Sequence, residues 1–139
     1  MNFEQEIINR LYQSSYLVSG LSMFHDKPAI FAYFMPEEFQ ISFSYVVFDI
    51  ENYNVPTKGD TKLLKVMIVN DDIDEIEFRR YAIEIINCLD NAIIDDDEKG
   101  QLRIYLSSNP IYKPYEYLMV SHGIITFIIR GNLDSWNLS

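Results

Sequence analysis

The chain has little of the material from which metal and redox sites are built: one cysteine and two histidines in 139 residues. A single cysteine, Cys88, excludes an internal disulfide and suits a reducing compartment. His25 and His122 are far apart, and neither has a cysteine or carboxylate at metal-ligand spacing. We therefore expect no metal site and no cofactor.

Motifs for phosphate binding and nucleophilic catalysis are also missing. The five glycines form neither a G-x-G nor a G-x-x-x-x-G-K signature, and no G-x-S-x-G elbow occurs. Asp90 lies close to Cys88 in sequence and would raise the pKa of the thiol, so we expect a buried structural cysteine. An enzyme ranks lowest among the functions considered, because the sequence contains no activated nucleophile or acid/base pair.

Positive charge is scarce, since 11 lysines and arginines oppose 21 acids and leave a net charge of −10. This balance argues against a nucleic-acid-binding surface. It fits a partner with basic patches or a surface that repels DNA. Apolar runs such as YLMV at 117–120 are far too short to span a membrane, and the N-terminal segment lacks a signal-peptide pattern. We expect a cytosolic protein.

What the chain does have is 48% hydrophobic residues, enough for the core of one domain over residues 1–139. Segment 61–130 is typical of a strand, a long amphipathic helix and two further strands. A first helix and two earlier strands give the order α-β-β-β-α-β-β. Short links around the helix predict an α+β fold, a small and mostly antiparallel sheet with helices packed on one face. Residues 132–139 are expected to form a flexible tail.

Three local features are predicted within this frame. Asp72 followed by Glu75 has capping-box spacing, so the long helix should begin near Asp72. Gly123 should mark a bend or bulge in the last strand, at about residues 117–130. The buried stripe of the long helix is predicted to be Phe78, Ala82, Ile85, Ile86, Leu89 and Ile93.

An acidic run follows the long helix. Asp95, Asp97 and Gly100 fit the first, third and sixth positions of a calcium-binding EF-hand loop. Lys99 and Leu106 stand where that loop needs oxygen ligands, so we reject a calcium site. A solvated turn is the plain expectation. The sharper alternative is a surface that repels DNA in the lumen of a ring, made by Asp95, Asp96, Asp97 and Glu98.

The order of these segments resembles the tail-terminator or tail-completion proteins of long-tailed bacteriophages and prophages. The match covers about residues 29–131 and is carried by the YVVF strand, the NYNVPTKGD loop, the acidic-capped helix and the closing HGIITFIIR. It implies a structural protein of the virion tail or neck, assembled in the bacterial cytoplasm, without catalytic residues. Such proteins form a ring, typically a hexamer, that caps the tail tube and joins it to the head connector. Residues 1–28 depart from the family pattern.

The ten tyrosines suit protein contacts, because a tyrosine ring buries area while its hydroxyl stays hydrogen-bonded. The predicted interface residues are Tyr53, Asn54, Val55, Lys58, Asp60, Tyr112 and Tyr115. The expected partners are further copies of the chain, the tail-tube protein and head connector proteins, with no sequence-specific nucleic acid and no membrane. The main alternative is a small-ligand-binding or regulatory module that acts as a dimer and has a polar pocket between helix and sheet.

Overall fold

The computed structural model describes residues 2–36, 44–52, 62–70, 74–96, 100–113 and 121–131. The helices are α1 (Phe3–Leu11), α2 (Ser15–Gly20) and α3 (Glu75–Leu89). The strands are β1 (Met23–Phe24), β2 (Lys27–Pro28), β3 (Ile30–Ala32), β4 (Tyr45–Asn52), β5 (Lys62–Asn70), β6 (Ile93–Asp96), β7 (Gly100–Leu106), β8 (Ile111–Lys113) and β9 (Ser121–Gly131). The predicted α+β class is confirmed. The structure adds α2, the β1–β2 hairpin, β6 and β8 to the predicted order.

Seven of the described strands form one sheet in the order β3-β4-β5-β9-β7-β6, with β8 also paired to β9. β3 runs parallel to β4, and every other described pairing in the sheet is antiparallel. β9 lies in the middle: one edge pairs with β5, and the other pairs with β7 and then β8. The predicted mostly antiparallel sheet is therefore confirmed.

The helices pack on one face of this sheet, as predicted. α1 buries Phe3, Ile7 and Leu11, which repeat at helical spacing. The strands turn alternate residues toward the helices, namely Val46, Phe48, Leu64, Val66, Ile68, Leu102, Ile104, Ile125, Phe127 and Ile129. The space between helices and sheet is a filled core.

α3 differs from its prediction at both ends. Its N-cap is Asp74, whose side chain accepts a hydrogen bond from the Glu77 backbone N–H at 2.7 Å, so the cap predicted at Asp72 is wrong. Beyond the C-terminal end, Asn91 adopts a left-handed backbone with φ of 62°. Ile93, predicted on the buried stripe of the helix, lies in β6 and is 39% exposed.

Gly123 marks a close packing contact and not the predicted bulge. β9 pairs with β5 in unbroken register from Ser121 to Ile129, so no extra residue is inserted there. A Cβ atom on Gly123 would overlap the ring of Phe78 from α3. Glycine is needed at this position because the helix side chain comes down onto the strand backbone. The predicted strand residues 117–120 lie outside the described residues.

Candidate functional site: the outer face of the sheet

Most residues predicted to form interfaces lie outside the described residues: Tyr53, Asn54, Val55, Lys58, Asp60 and Tyr115, and with them Asp97 and Glu98 of the acidic run. Tyr112 is half-buried in β8, and its ring centroid lies 5.8 Å from that of Phe78 in the core. Asp95 is exposed and Asp96 half-buried in β6, opposite Gln101 and Gly100 of β7. The interface and lumen assignments stay predictions.

The sheet face turned away from the helices carries a continuous apolar row. The strand register aligns one side chain from each of five neighbouring strands. This outer row consists of Phe31, Val47, Met67, Ile124 and Ile111. Ile111 is 55% exposed, and the other four are half-buried. Four strand gaps make the row about 19 Å long.

Sequence reasoning missed the outer row, although a signal for it was present. Antiparallel strands with one solvent-facing side usually alternate apolar and polar residues. Here KVMIV at 65–69 and GIITFII at 123–129 are apolar almost throughout. Such continuous runs are typical of strands that are covered on both faces. In the described structure, helices cover only one of these two faces.

A concavity of about 130 Å³ opens beside the outer row, lined by Tyr33, Val47, Phe48, Asp49, Lys65, Met67 and Ile124. Within it, the Oδ1 atom of Asp49 is buried and has no hydrogen-bond partner in the described chain. Lys65 lies directly opposite Asp49 in the register, yet its Nζ pairs with Glu51 Oε2 at 3.2 Å. Buried oxygens are normally hydrogen-bonded, so this site lacks a donor.

The electrostatics of the concavity favour a cation. Burial raises the pKa of the Asp49 carboxyl, and the charge of Glu51 raises it further, while Lys65 opposes both. A positive or hydrogen-bond-donating group brought to the half-buried Asp49 carboxyl group would stabilise its charged form. The concavity around Asp49 is therefore suited to binding a basic side chain.

Tyr33 forms one wall of this concavity. Its backbone N–H donates to the Phe48 carbonyl at 2.6 Å, and its φ of 72° is left-handed. Its hydroxyl donates to Glu4 Oε1 at 3.4 Å. Left-handed backbone at a residue with a side chain is strained by about 1–3 kcal/mol and clusters at functional sites. The strained backbone of Tyr33 and the unpaired Oδ1 atom of Asp49 thus meet at the same concavity.

The described residues do not assemble a catalytic centre around the cysteine or His122. Burial, and then the charge of Glu84, raises the pKa of Cys88 against the opposing effect of Arg10, so the thiol is not activated. Burial, and then Lys113, lowers the pKa of His122. Across the described ranges, no three His, Cys, Asp or Glu side chains are placed to hold a metal ion. No helix in those ranges has the length and apolarity needed to cross a membrane.

A second exposed surface lies on α3, on the side turned away from the sheet. It consists of Ile76, Arg79, Arg80 and Ile83, which we call the α3 stripe. Ile76 is 75% exposed and Ile83 is 56% exposed. Arg79 and Arg80 are the only adjacent pair of basic residues in the sequence. A helix face with two solvent-exposed isoleucines and two arginines is suited to protein contact.

Comparison with known proteins finds a match in fold alone. No protein-family profile matches the chain, and no curated protein matches it. One similar solved chain comes from a structure described as "Virion of native gene transfer agent (GTA) particle", with a TM-score of 0.70. The two chains share a fold. The match covers 94% of each chain at 12% sequence identity, and it does not identify the tail-terminator family.

Proposed function

We propose that this protein is a structural component of a phage-like virion and acts as a tail-terminator or tail-completion protein. The observation that carries the proposal is the likeness in fold to a gene transfer agent virion chain, over 94% of both chains. The segment order over residues 29–131 supports the narrower role, because it resembles that of tail terminators. The protein would reside in the tail or neck of the particle.

The proposed mechanism is geometric. Copies of the chain assemble into a six-membered ring that caps the tail tube and binds the head connector. A closed ring of identical copies uses a different patch on each side of the protomer. The loop around Tyr53 and Asn54 is proposed to contact the neighbouring copy or the tube. Mechanical joining of this kind requires no cofactor.

The acidic run is proposed to face the ring lumen. Asp95 and Asp96 are the last two residues of β6, and Asp97 and Glu98 follow them in sequence. A local excess of negative charge repels the phosphate backbone. DNA would therefore pass through the ring without binding to its wall.

Deletion of the gene from a bacterium that produces the particles tests the role. Without a cap and joint, we expect tails without heads and tubes of uncontrolled length in electron micrographs. Mass spectrometry of purified wild-type particles should find the protein. Joined particles of normal tail length from the deletion strain would refute the role.

Complementation of that deletion strain tests the predicted loop. A chain with Tyr53→Glu and Asn54→Lys should fail to restore joined particles. The control carries Met23→Glu, at a 56% exposed position in β1. If the loop variant restores joining as well as the control does, the loop is not an interface, while the virion role stands.

The alternative ligand-binding module gains less support. It needs a polar pocket between the helices and the sheet. That region is occupied by apolar side chains such as Phe48, Phe78 and Phe127, each at most 1% exposed. The concavity around Asp49 lies on the other face, where a protein partner can reach it.

A further inference from the structure

We infer that the α3 stripe of one copy docks on the outer row and the Asp49 concavity of the next copy. The inference rests on the proposed ring and names the contact that would build it. Both halves of this contact lie on described residues of a single chain, on opposite sides of the protomer. The occupant of the outer row is thus a second copy of this chain.

The apolar parts of the two surfaces match in size. Ile76 and Ile83 are two helical turns apart, which places them about 10.5 Å apart along the axis. Two strand gaps in the sheet span about 9.6 Å. A helix laid along the outer row therefore sets its two isoleucines beside alternate strands, for example near Val47 and Ile124. Docking would bury side chains that are 75% and 56% exposed in the single copy.

The charges also match. The row of side chains next to the outer row begins with Asp49 and Lys65, about 6.7 Å away along each strand. Arg80 lies between the two isoleucines of the α3 stripe and can reach across that distance. Because Asp49 is only half-buried, an arginine there can approach its carboxyl group, and a planar guanidinium can bind a carboxylate through two N–H groups.

Neither arginine is held firmly in the single copy. Arg79 pairs with Glu75 at 3.2 Å, but both side chains are more than half exposed, so the pair contributes little. The Arg80 guanidinium lies 5.0 Å from the ring centroid of Tyr16. Stacking on a ring leaves the edge of the guanidinium able to donate hydrogen bonds.

The chain as a whole has a net charge of −10, so two copies repel each other unless a basic surface meets an acidic one. The α3 stripe contributes two arginines to such a contact, and Asp49 with Glu51 contributes two carboxylates. A contact between two different patches is heterologous, and it closes into a ring when the rotation per copy divides a full turn.

Two single-surface variants test the contact. The sheet variant carries Asp49→Lys with Ile111→Lys, and the helix variant carries Arg80→Glu with Ile83→Glu. The control is Met23→Glu, because Met23 and Ile83 are both 56% exposed. Circular dichroism confirms that each variant folds. Analytical ultracentrifugation then follows the mass of each protein up to about 1 mM, where even weak contacts form.

Wild type and control should associate as concentration rises. Each surface variant should show an apparent dissociation constant for self-association at least about tenfold higher than that of wild type, because a charge is reversed inside the contact. A mixture of the two variants gives the decisive result. The intact α3 stripe of the sheet variant fits the intact sheet of the helix variant, so the mixture should associate at concentrations where neither variant does so alone.

Three results would overturn the contact: a wild-type chain that stays monomeric throughout, a mixture that stays monomeric, or a helix variant that dimerises alone through its sheet. Each leaves the virion role intact if the deletion strain still makes unjoined particles. Conversely, normal particles from the deletion strain remove the virion role while the measured self-association stands.

Discussion

The ring of Phe78 lies directly on the backbone of Gly123, so that helix α3 and strand β9 meet without a side chain between them. Gly123→Ala should therefore destabilise the fold by about 1–3 kcal/mol, as overpacking of a tight core does. Urea denaturation followed by circular dichroism measures the change.

The partner of Gly123 supplies the control. Phe78→Leu removes the overlapping ring, so the double variant should be more stable than the sum of the two single changes predicts. Thr126→Ala, in the same strand on the outer face, should shift stability by less than about 1 kcal/mol. Strict additivity of Gly123→Ala and Phe78→Leu would show that the two residues do not constrain each other.

The N-cap of α3 can be tested at Asp74. Asp74→Ala removes the side-chain acceptor of the Glu77 N–H, whose bond is 2.7 Å long, and should lower stability by about 1 kcal/mol. Asp74→Asn retains an acceptor oxygen and should lose much less. Thermal melts of the three proteins at one pH compare these values. Equal losses for alanine and asparagine would contradict the cap.

Cys88 should react slowly with alkylating reagents. Burial and Glu84 raise the pKa of its thiol, so less thiolate is present than in an unfolded chain. We expect the iodoacetamide rate to rise with pH and to reach its midpoint above about 8.5, the value for a free cysteine. Glu84→Gln should lower that midpoint. A midpoint below the value measured in urea would show an activated thiol.

Asp49 should make stability depend on pH. Its folded-state pKa is raised by burial and by Glu51, so its contribution is fully present below the unfolded pKa and is lost as pH rises through the folded value. Asp49→Asn cannot ionise, so its stability advantage over wild type should grow as the pH rises from about 4 to 7. The increase should be less than about 1 kcal/mol. Urea midpoints at both pH values measure the difference. Thr126→Val controls for an uncharged change in the same row, and a gain that is larger at pH 4 would contradict the prediction.

Much of the fold could be predicted because periodicity reports burial. The stripe of α1 and the inward faces of β4 and β5 follow directly from helical and alternating spacing. The end of α3 could not be predicted from spacing alone. Ile93 continues the helical period, yet Asn91 turns the chain with a left-handed backbone and Ile93 joins a strand. Ile93 is held in a strand and not in the helix because it pairs with Arg103 of β7.

The candidate site was less predictable, because it is made by register between distant strands. Val47, Met67 and Ile124 become neighbours only through the pairing of β4, β5 and β9. The unpaired oxygen of Asp49 depends on which partner Lys65 selects, and sequence spacing carries no information on that choice. The predicted loop and lumen residues lie mainly outside the described ranges, so they remain predictions.

β9 separates the strands β3, β4 and β5 from β7 and β6, although it follows all of them in the chain. A nascent chain that has left the ribosome only as far as β8 therefore holds two half-sheets that no strand joins. Each half presents an open edge, and such edges pair readily with other chains. Folding must wait for these long-range contacts, which slow the search for the native state. Until residues 121–131 emerge, the open edges of the growing chain favour aggregation.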